Sequence, residues 1–374
     1  MKVTCLQENL AHGLGIVGRG VSTRGSLPIL SNVLLRTDSG RLRLTATNLE
    51  VGINCWVPAK VEDEGAITVP AKLFIDFVNS LPPGNVELSL NVRTKTVHLR
   101  SGPYEANIKG MDAEEFPIIP QIPEKPTTRM AQGTLRRMIG EVAFVAATDD
   151  SRPVLTGVLT TFAGDLVTMA AADPYRLSVR HAQLVDRVDP QVEVIIPAKS
   201  LFEVARILED SDATVDILVT PNKSQVIFHT EEADLVSRII EGQFPNYRQV
   251  IPTSHSTRVL AQREELLKAT RLASYFARDA ANMLRFQVDP SNDPPLVITA
   301  NAAEVGDNTG RIDATVEGQA TTIAFNSRFV ADALSSLTAP EISLELGGPL
   351  APGVVKIVGD DSYLHVVMPL RIPA

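Results

Sequence analysis

Cysteine, aromatic residues and long apolar runs are all scarce in this chain of 374 residues. Cys5 and Cys55 are its only cysteines, so no disulfide framework is expected, which fits a reducing compartment such as the cytoplasm. Aromatic residues make up 5% of the chain, and large aromatic stacking surfaces are therefore not expected. No stretch approaches the roughly 20 apolar residues of a membrane-spanning helix. The polar residues 1–9 do not resemble a signal peptide, so we expect no association with a membrane.

Net positive charge is lacking as well. The chain carries 35 Lys and Arg residues against 44 Asp and Glu residues, which gives a formal net charge of −9. A protein of this charge does not bind nucleic acid through its overall electrostatic field. A local basic surface is still compatible with the composition.

One strand-to-helix pattern occurs three times, about a third of the chain apart. The copies cover residues 68–81, 195–208 and 324–337, and they align with Pro70, Pro197 and Asn326 in equivalent positions. In each copy apolar residues recur at i, i+3, i+4 and i+7, which predicts a helix with one buried face. Solenoid repeats are only about 20–50 residues long. The sequence therefore indicates three similar domains, which we place at residues 1–125, 126–253 and 254–374.

Proline-rich segments support these boundaries, since residues 117–126 and 245–255 close the first two copies. Short alternating segments dominate the rest of each copy and predict about eight antiparallel strands. A further helix is expected after the first strand of each copy, at about residues 7–20, 132–147 and 262–278. The predicted fold class is α+β, with two helices packed on antiparallel sheets in every domain.

Residues 13–18 read GxGxxG, which is the spacing of a dinucleotide-binding turn, and Asp38 follows about 20 residues later. Such a turn must follow its strand directly, but residues 7–12 intervene here. The same position in the other two copies is helical and poor in glycine. We therefore expect a helix at residues 13–18. A nucleotide-dependent oxidoreductase is the first alternative function.

Other catalytic signals are weak. No histidine has a His, Cys or carboxylate neighbour at metal-ligand spacing, so neither a metal nor another cofactor is expected. Asp149 and Asp150 form a pair of carboxylates, but a surface turn explains them better than acid–base catalysis does. The sequence shows neither a nucleophile elbow nor a phosphate-binding loop. We therefore predict that the protein is not an enzyme.

Basic residues recur at one position of the repeated helix, where Lys72, Lys199 and Arg328 align. Further basic residues lie on the predicted helices at positions 136, 137, 206, 268, 271 and 278. In an acidic protein this segregation indicates a shared positive helical surface, and clustered basic charge is typical of phosphate contact.

Taken together, these features and five short motifs make the chain similar to the bacterial DNA polymerase III β subunit family, the sliding clamps. The resemblance covers the full length. Its most specific motifs are at residues 27–32, 69–72, 172–177, 242–248 and 366–372.

The resemblance implies three equivalent clamp-type domains per subunit and a homodimer closed head to tail into a ring. It implies a processivity factor that encircles duplex DNA independently of sequence. The expected protein partners are the catalytic subunit of the replicative DNA polymerase, the clamp loader, repair polymerases and other proteins with a clamp-binding motif. A three-domain scaffold that binds peptides but no DNA is the second alternative.

The resemblance also implies site residues. Arg24, Lys72 and Lys199 match DNA-facing positions, and Ile108 and Phe276 match the dimer interface. A cleft for partner peptides matches Leu155, Ala172, Pro174, Tyr175, Arg176, Leu177, Pro245, Val250, Val367, Met368, Pro369, Leu370 and Arg371. Such a set offers apolar walls, an adaptable methionine and an arginine at the edge, which suits a linear hydrophobic motif.

The chain departs from the family pattern beside this cleft. Pro174 and Tyr175 replace the commoner Gly-His, Gln249 stands where an arginine is frequent, and residues 349–352 form an enlarged loop. Asp149, followed by Pro153 and Val154, stands where the family often has Gln before Tyr-Tyr. We therefore expect an altered peptide preference and no DNA-stacking contact from this loop.

Overall fold

The structure is a computed structural model that describes residues 1–22, 27–119, 125–278, 280–304 and 306–372. Its helices are α1 (Gln7–Val17), α2 (Ala71–Ser80), α3 (Gln132–Val142), α4 (Ala198–Ile207), α5 (Arg263–Ala277) and α6 (Ser327–Ser336). Its strands are β1 (Lys2–Leu6), β2 (Asn32–Asp38), β3 (Arg41–Thr47), β4 (Val51–Asp63), β5 (Ala66–Pro70), β6 (Asn85–Asn91), β7 (Thr96–Ser101), β8 (Tyr104–Lys109), β9 (Thr128–Ala131), β10 (Gly157–Ala172), β11 (Arg176–Pro197), β12 (Thr214–Val219), β13 (Gln225–His229), β14 (Ala233–Arg238), β15 (Thr257–Gln262), β16 (Met283–Val288), β17 (Leu296–Ala302), β18 (Gly306–Ile312), β19 (Ala314–Gly318), β20 (Thr321–Asn326), β21 (Glu341–Leu346), β22 (Gly353–Ile357) and β23 (Asp360–Val367).

The chain divides into two compact units. Unit 1 comprises Met1–Gly133 and Glu203–Ile239, and unit 2 comprises Thr134–Phe202 and Ile240–Ala374. The division falls inside the second predicted domain, so the predicted domain boundaries stay predictions.

The repeated helices α2, α4 and α6 form where the apolar pattern predicts them. Phe74 and Val78 are buried on α2, and Val330 and Leu334 are their buried counterparts on α6. Pro70 ends strand β5 and lies immediately before the first helical residue of α2. Asn326 has the same place before α6, and its side chain accepts a hydrogen bond from the backbone N–H of Arg328 at 3.0 Å.

Residues 13–18 lie in α1 and the short turn that follows it, as expected from the sequence. A Cβ atom at Gly13 would lie 2.7 Å from Cγ2 of Val57, so this glycine lets the helix approach strand β4 closely. Gly13 therefore serves helix–sheet packing, and residues 13–18 form no phosphate-binding turn. Cys5 and Cys55 are buried free thiols, and burial raises the pKa of each to about 12.

Unit 1 contains a single sheet of twelve antiparallel strands. Its main path runs β8-β7-β6-β1-β4-β14-β13-β12-β9, and β2, β3 and β5 extend from β4. Strand β14 of the second copy pairs with β4 of the first, with Leu235 opposite Ile53. Helix α1 packs on β3 and β4.

Unit 2 contains a seven-stranded sheet, β10-β11-β23-β22-β21-β15-β19, and a four-stranded sheet, β18-β17-β16-β20. Strand β23 of the third copy pairs with β11 of the second, with Val366 opposite Leu177. The second and third copies are therefore joined by the same kind of strand pairing as the first and second. Among the described residues of the second copy, six strands replace the predicted eight, because β10 and β11 run on without interruption.

Each copy closes on itself in the same way. After the last strand of each copy, the backbone forms a hydrogen bond with the strand that precedes the repeated helix. The bonded residues of that strand are Thr68, Ile195 and Ala324. The backbone N–H groups of Ile240 and Leu370 each donate at 2.8 Å to Ile195 and Ala324, respectively. These three receiving residues align in the repeat, which confirms the triplication inferred from the sequence.

In the described part of the chain, no helix is both long enough and apolar enough to cross a membrane.

Candidate functional site

The three aligned basic residues occupy the same place in three helices. Lys72, Lys199 and Arg328 are each the second residue of their helix, and all three side chains are exposed. None of them forms an ion pair with another described residue. A cation at a helix N-terminus is unfavourable for the helix itself, because that end of the helix dipole is positive. The threefold recurrence therefore does not serve helix stability, and it creates sites suited to anions.

Other basic residues on the helices are also exposed, but some of them are engaged. Arg206 forms an ion pair with Glu203 at 2.6 Å, and Arg271 donates to Oγ of Ser335 at 3.0 Å. Arg136 and Arg137 lie on the exposed side of α3. Arg24, the third residue predicted to face DNA, lies outside the described residues.

The Asp149–Asp150 segment is a turn, as the sequence indicates. The carboxylate of Asp149 accepts hydrogen bonds from the backbone N–H and the hydroxyl of Ser151, at 2.9 and 2.8 Å. These bonds lower the pKa of the Asp149 carboxyl. An ionised, locally bonded carboxylate of this kind is typical of a turn and is poorly suited to acid–base catalysis.

Most of the predicted cleft residues come together in unit 2, around the pairing of β11 with β23. Leu155 and Leu177 join Val366 in one apolar cluster, and Ala172 packs against its edge. The backbone N–H of Met368 donates to the carbonyl of Tyr175 at 2.8 Å, so the C-terminal segment is tied to the loop before β11.

Exposure separates the cleft residues into a floor and a rim. Leu155 and Leu177 are buried and form the floor together with Val366. The prediction for Val367 is wrong, because side chains alternate along β23 and Val367 is buried on the other side, in the core of the third copy. The half-buried or exposed members form the rim: Ala172, Pro174, Tyr175, Arg176, Pro245, Val250, Met368, Pro369, Leu370 and Arg371. The result is an apolar groove whose rim offers both aromatic and basic side chains.

Arg176 is held at the edge of this groove by charge and by aromatic rings. Its Nε lies 3.0 Å from Oδ2 of Asp173, and its Nη1 lies 2.7 Å from Oδ2 of Asp332. Its guanidinium lies 4.6 Å from the ring centroid of Phe329. Tyr175 stacks on the same ring at 5.9 Å.

Phe329 and Asp332 at the rim were not predicted from the sequence. Phe244 and Tyr247, which are buried in the groove cluster, were not predicted as site residues either. The sequence does contain a signal for Phe329, because this residue lies on α6 outside the apolar stripe of Val330, Ala333 and Leu334. A large apolar residue off the buried face of a helix indicates a further packing surface.

The two residues expected at a dimer interface lie beside open sheet edges. Ile108 belongs to β8, the last strand of the twelve-stranded sheet, but its own side chain is only 4% exposed. Phe276 is partly buried against the core of unit 2. Beside it on α5, Leu272 and Tyr275 are exposed, and α5 packs against the edge strand β18.

The loop at residues 349–352 joins β21 to β22 and presents Leu350, which is 72% exposed. Gln249 is exposed as well. Both departures from the family pattern therefore concern surface positions.

Comparison with known proteins gives a consistent result along the whole chain. Three family models match in order: the N-terminal domain of the DNA polymerase III beta subunit at residues 1–120, its central domain at residues 129–246 and its C-terminal domain at residues 248–371. The beta sliding clamp of Synechococcus elongatus is 32% identical over 100% of both chains. The beta sliding clamp of Bacillus subtilis is 29% identical over 99% of this chain and 100% of that protein.

Solved structures agree with these sequence matches. The DNA polymerase sliding clamp of Bacillus subtilis superposes with a TM-score of 0.94 at 29% identity, covering 100% of both chains. The DNA polymerase III beta subunit of Thermotoga maritima does so with a TM-score of 0.90 at 25% identity, again covering 100% of both chains.

Proposed function

The chain belongs to the DNA polymerase III beta subunit family and has its three-domain clamp fold, and we propose that it is the sliding clamp of a replicative DNA polymerase. In this proposal two subunits pair head to tail into a ring around duplex DNA. The observation that carries it is the basic residue at the second position of α2, α4 and α6 in a protein of net charge −9.

A ring needs only weak contacts with the DNA that it encloses, because topology prevents dissociation. A few phosphate contacts, which are independent of sequence, leave the protein free to slide. The acidic balance of the chain as a whole would reduce adhesion to DNA outside the ring. Lys72, Lys199 and Arg328 supply such contacts without committing the entire surface to DNA.

The groove around Leu177 and Met368 is proposed to hold linear peptide motifs of the polymerase, the clamp loader and repair polymerases. Its buried floor accepts apolar side chains, and the rim residues Tyr175 and Arg176 add polar and aromatic contacts. Tethering requires no chemistry, so we propose no catalytic activity. We place the protein in the cytoplasm with the chromosome.

The dimer is proposed to form where β8 of one subunit meets β18 of the other, because each strand ends its sheet. Pairing of two such edges satisfies their open backbone groups. The exposed Leu272 and Tyr275 would then be buried beside the new strand pair. Sedimentation is expected to show a particle of twice the 40.4 kDa subunit mass.

The DNA contact is tested by reversing charge at the repeated position. Lys72→Glu and Lys199→Glu together are expected to flatten the log–log salt dependence of duplex DNA binding by roughly 0.9 for each phosphate group that the protein no longer neutralises. The matched control is Lys223→Glu, an exposed lysine in the turn between β12 and β13. A slope that changes equally in both variants, or in neither, would remove the repeated position from the DNA interface.

The groove is tested with a fluorescently labelled peptide containing Gln-Leu-x-Leu-Phe. Leu370→Asp is expected to weaken peptide binding by roughly 30-fold, since loss of one buried apolar anchor typically costs about 2 kcal/mol. The control is Val92→Asp in unit 1, where the side chain is 73% exposed. Unchanged affinity for Leu370→Asp, measured by fluorescence polarisation, would contradict the assignment of the groove.

A further inference from the structure

A second groove lies entirely within unit 1, on the sheet face opposite α1. Side chains alternate along β3 and β4, so Leu42 and Leu44 face the helix while Arg43 and Trp56 face the other way. We call the site the Trp56 groove and define it by Arg36, Arg43, Trp56 and residues 116–119. None of these residues belongs to the proposed DNA, peptide or dimer surfaces.

Two arginines lie directly opposite each other in this groove. The register pairs Arg36 of β2 with Arg43 of β3, and Arg43 in turn with Trp56 of β4. Like charges in directly opposed positions destabilise a sheet. In the corresponding hairpin of unit 2, the residues at the Arg43 and Trp56 positions are Thr168 and His181, which share a hydrogen bond at 2.8 Å. The clamp fold therefore does not require the arginine pair.

The arginines are only partly neutralised. The carboxylate of Asp38 accepts hydrogen bonds from Nη1 of Arg43 and from the indole N–H of Trp56, both at 3.1 Å. The Nε of Arg43 is buried without a hydrogen-bond partner, and Arg36 forms no ion pair with any described residue. Arg41 adds a third positive charge, 5.6 Å from the centroid of the Trp56 ring.

The opposite wall of the groove is apolar. Phe116, Pro117, Ile118 and Ile119 line a cavity of about 680 Å³ together with the arginine face. Ile118 is 95% exposed, although it is a large aliphatic residue. Ligand-binding pockets typically measure about 300–1,000 Å³ and combine apolar walls with a few polar groups.

We propose that the Trp56 groove is a second docking site, which binds a peptide segment carrying a carboxylate next to an apolar side chain. A guanidinium binds a carboxylate through two parallel hydrogen bonds, and Arg36 has its donors free for this. The apolar side chain of the peptide would cover Ile118 and Phe116. Asp38 and Asp234 line the same groove and would repel a polyanion such as a nucleic acid strand.

Selection from a random heptapeptide phage library tests this site on the full-length protein. Peptides that bind the wild-type protein are passed over the Arg36→Gln variant, and those that bind the variant are discarded. This step removes peptides that bind the groove around Leu177. The remaining peptides are expected to contain Asp or Glu beside Leu, Ile or Phe. Remaining peptides without acidic residues, or a failure to obtain any peptide that depends on Arg36, would overturn the proposal.

Trp56 is the only tryptophan of the chain, so intrinsic fluorescence reports directly on this groove. A selected peptide is expected to change the Trp56 emission and to bind Arg36→Gln and Ile118→Asp at least tenfold more weakly. The matched control is Arg93→Gln, an exposed arginine between β6 and β7 that should leave binding unchanged. Displacement of the bound peptide by inorganic phosphate or by a duplex oligonucleotide, read from the Trp56 emission, would contradict the peptide assignment. Because DNA binding and the Leu177 groove are measured separately, this proposal and the clamp function can fail independently.

Discussion

Replacement of Arg180 by methionine tests how unit 2 is held together beneath the peptide groove. The Arg180 side chain on β11 is 10% exposed and lies between two carboxylates on different elements. Its Nε is 3.2 Å from Glu141 of α3, at an angle that makes no hydrogen bond, and its Nη1 is 2.8 Å from Asp360 of β23. Arg180 therefore connects a helix to the strand that leads into the C-terminal rim of the groove.

The cost of the Arg180→Met change follows from burial. The Glu141 side chain is 4% exposed, and its buried charge would lose its ion-pair partner and be attracted only by the exposed Arg137. Breaking a buried pair in this way costs about 3–5 kcal/mol. The Asp360 side chain is 34% exposed, so solvent screens its charge and the loss of this second ion pair adds little to the cost. We therefore expect a loss of about 3 kcal/mol, which lowers the melting temperature of a unit of this size by about 10 °C.

The pH dependence of this loss has a definite sign. Burial already raises the pKa of Glu141, against the attraction of Arg180. Without Arg180 the pKa of Glu141 rises further, so the folded state binds a proton more readily than the unfolded chain does. The stability deficit of Arg180→Met should therefore shrink as the pH falls from about 8 towards about 5.5.

Calorimetry of the single and double variants provides the measurement. Combining Glu141→Gln with Arg180→Met should recover more than about 1 kcal/mol relative to the sum of the single effects, since both buried charges are then absent. Trp56 lies in unit 1, and its fluorescence melting curve serves as an internal control that should stay unchanged. Additive effects of the two substitutions, or no shrinkage of the deficit at low pH, would refute the reasoning.

Three further predictions concern stability. Gly242→Ala should cost about 1–3 kcal/mol and weaken peptide binding, because Gly242 has φ of +133° and a Cβ atom there would lie 2.7 Å from Val154; equal melting curves would contradict this. Gly110→Ala should destabilise unit 1, since its Cβ atom would collide with the carbonyl oxygen of Thr68. Gly15→Ala, on the open side of α1, should stabilise unit 1 by about 0.5–1 kcal/mol, and urea titrations followed by Trp56 fluorescence compare the two variants. Burial lowers the pKa of His365 to about 3. Between about pH 6.5 and 3 the unfolded chain therefore binds one more proton than the folded protein, and stability falls as the pH is lowered. His365→Gln should lose this part of the acid sensitivity, about 1–2 kcal/mol between about pH 6.5 and 5, in thermal melts across that range.

The repeated helices were predictable because their signal is local. Phe74, Val78 and their counterparts follow a helical period, and α2 lies within the strand-to-helix pattern predicted at residues 68–81. The helix ends were predicted less accurately. The helix expected to reach residue 147 ends at Val142, and a short 3₁₀ turn follows it. Helix ends depend on capping and tertiary contacts that periodicity does not encode.

The strand pairings between copies could not be predicted. Nothing in the local pattern of β4 or β11 indicates that each pairs with the last strand of the next copy. The partners of Arg176 were missed for the same reason, because Asp332 is 156 residues away along the chain. The arginine pair of the Trp56 groove likewise depends on cross-strand register, which turn geometry and packing determine.

Retention on circular DNA tests the central proposal most directly. The protein is loaded onto a nicked circular plasmid with its clamp loader, separated from free protein by gel filtration, and the plasmid is then cut once with a restriction enzyme. A ring held by topology should stay on the circle in high salt and leave the linear DNA from its ends. Equal retention on circular and linear DNA, or release from both at the same salt concentration, would contradict the proposal that this protein encircles duplex DNA.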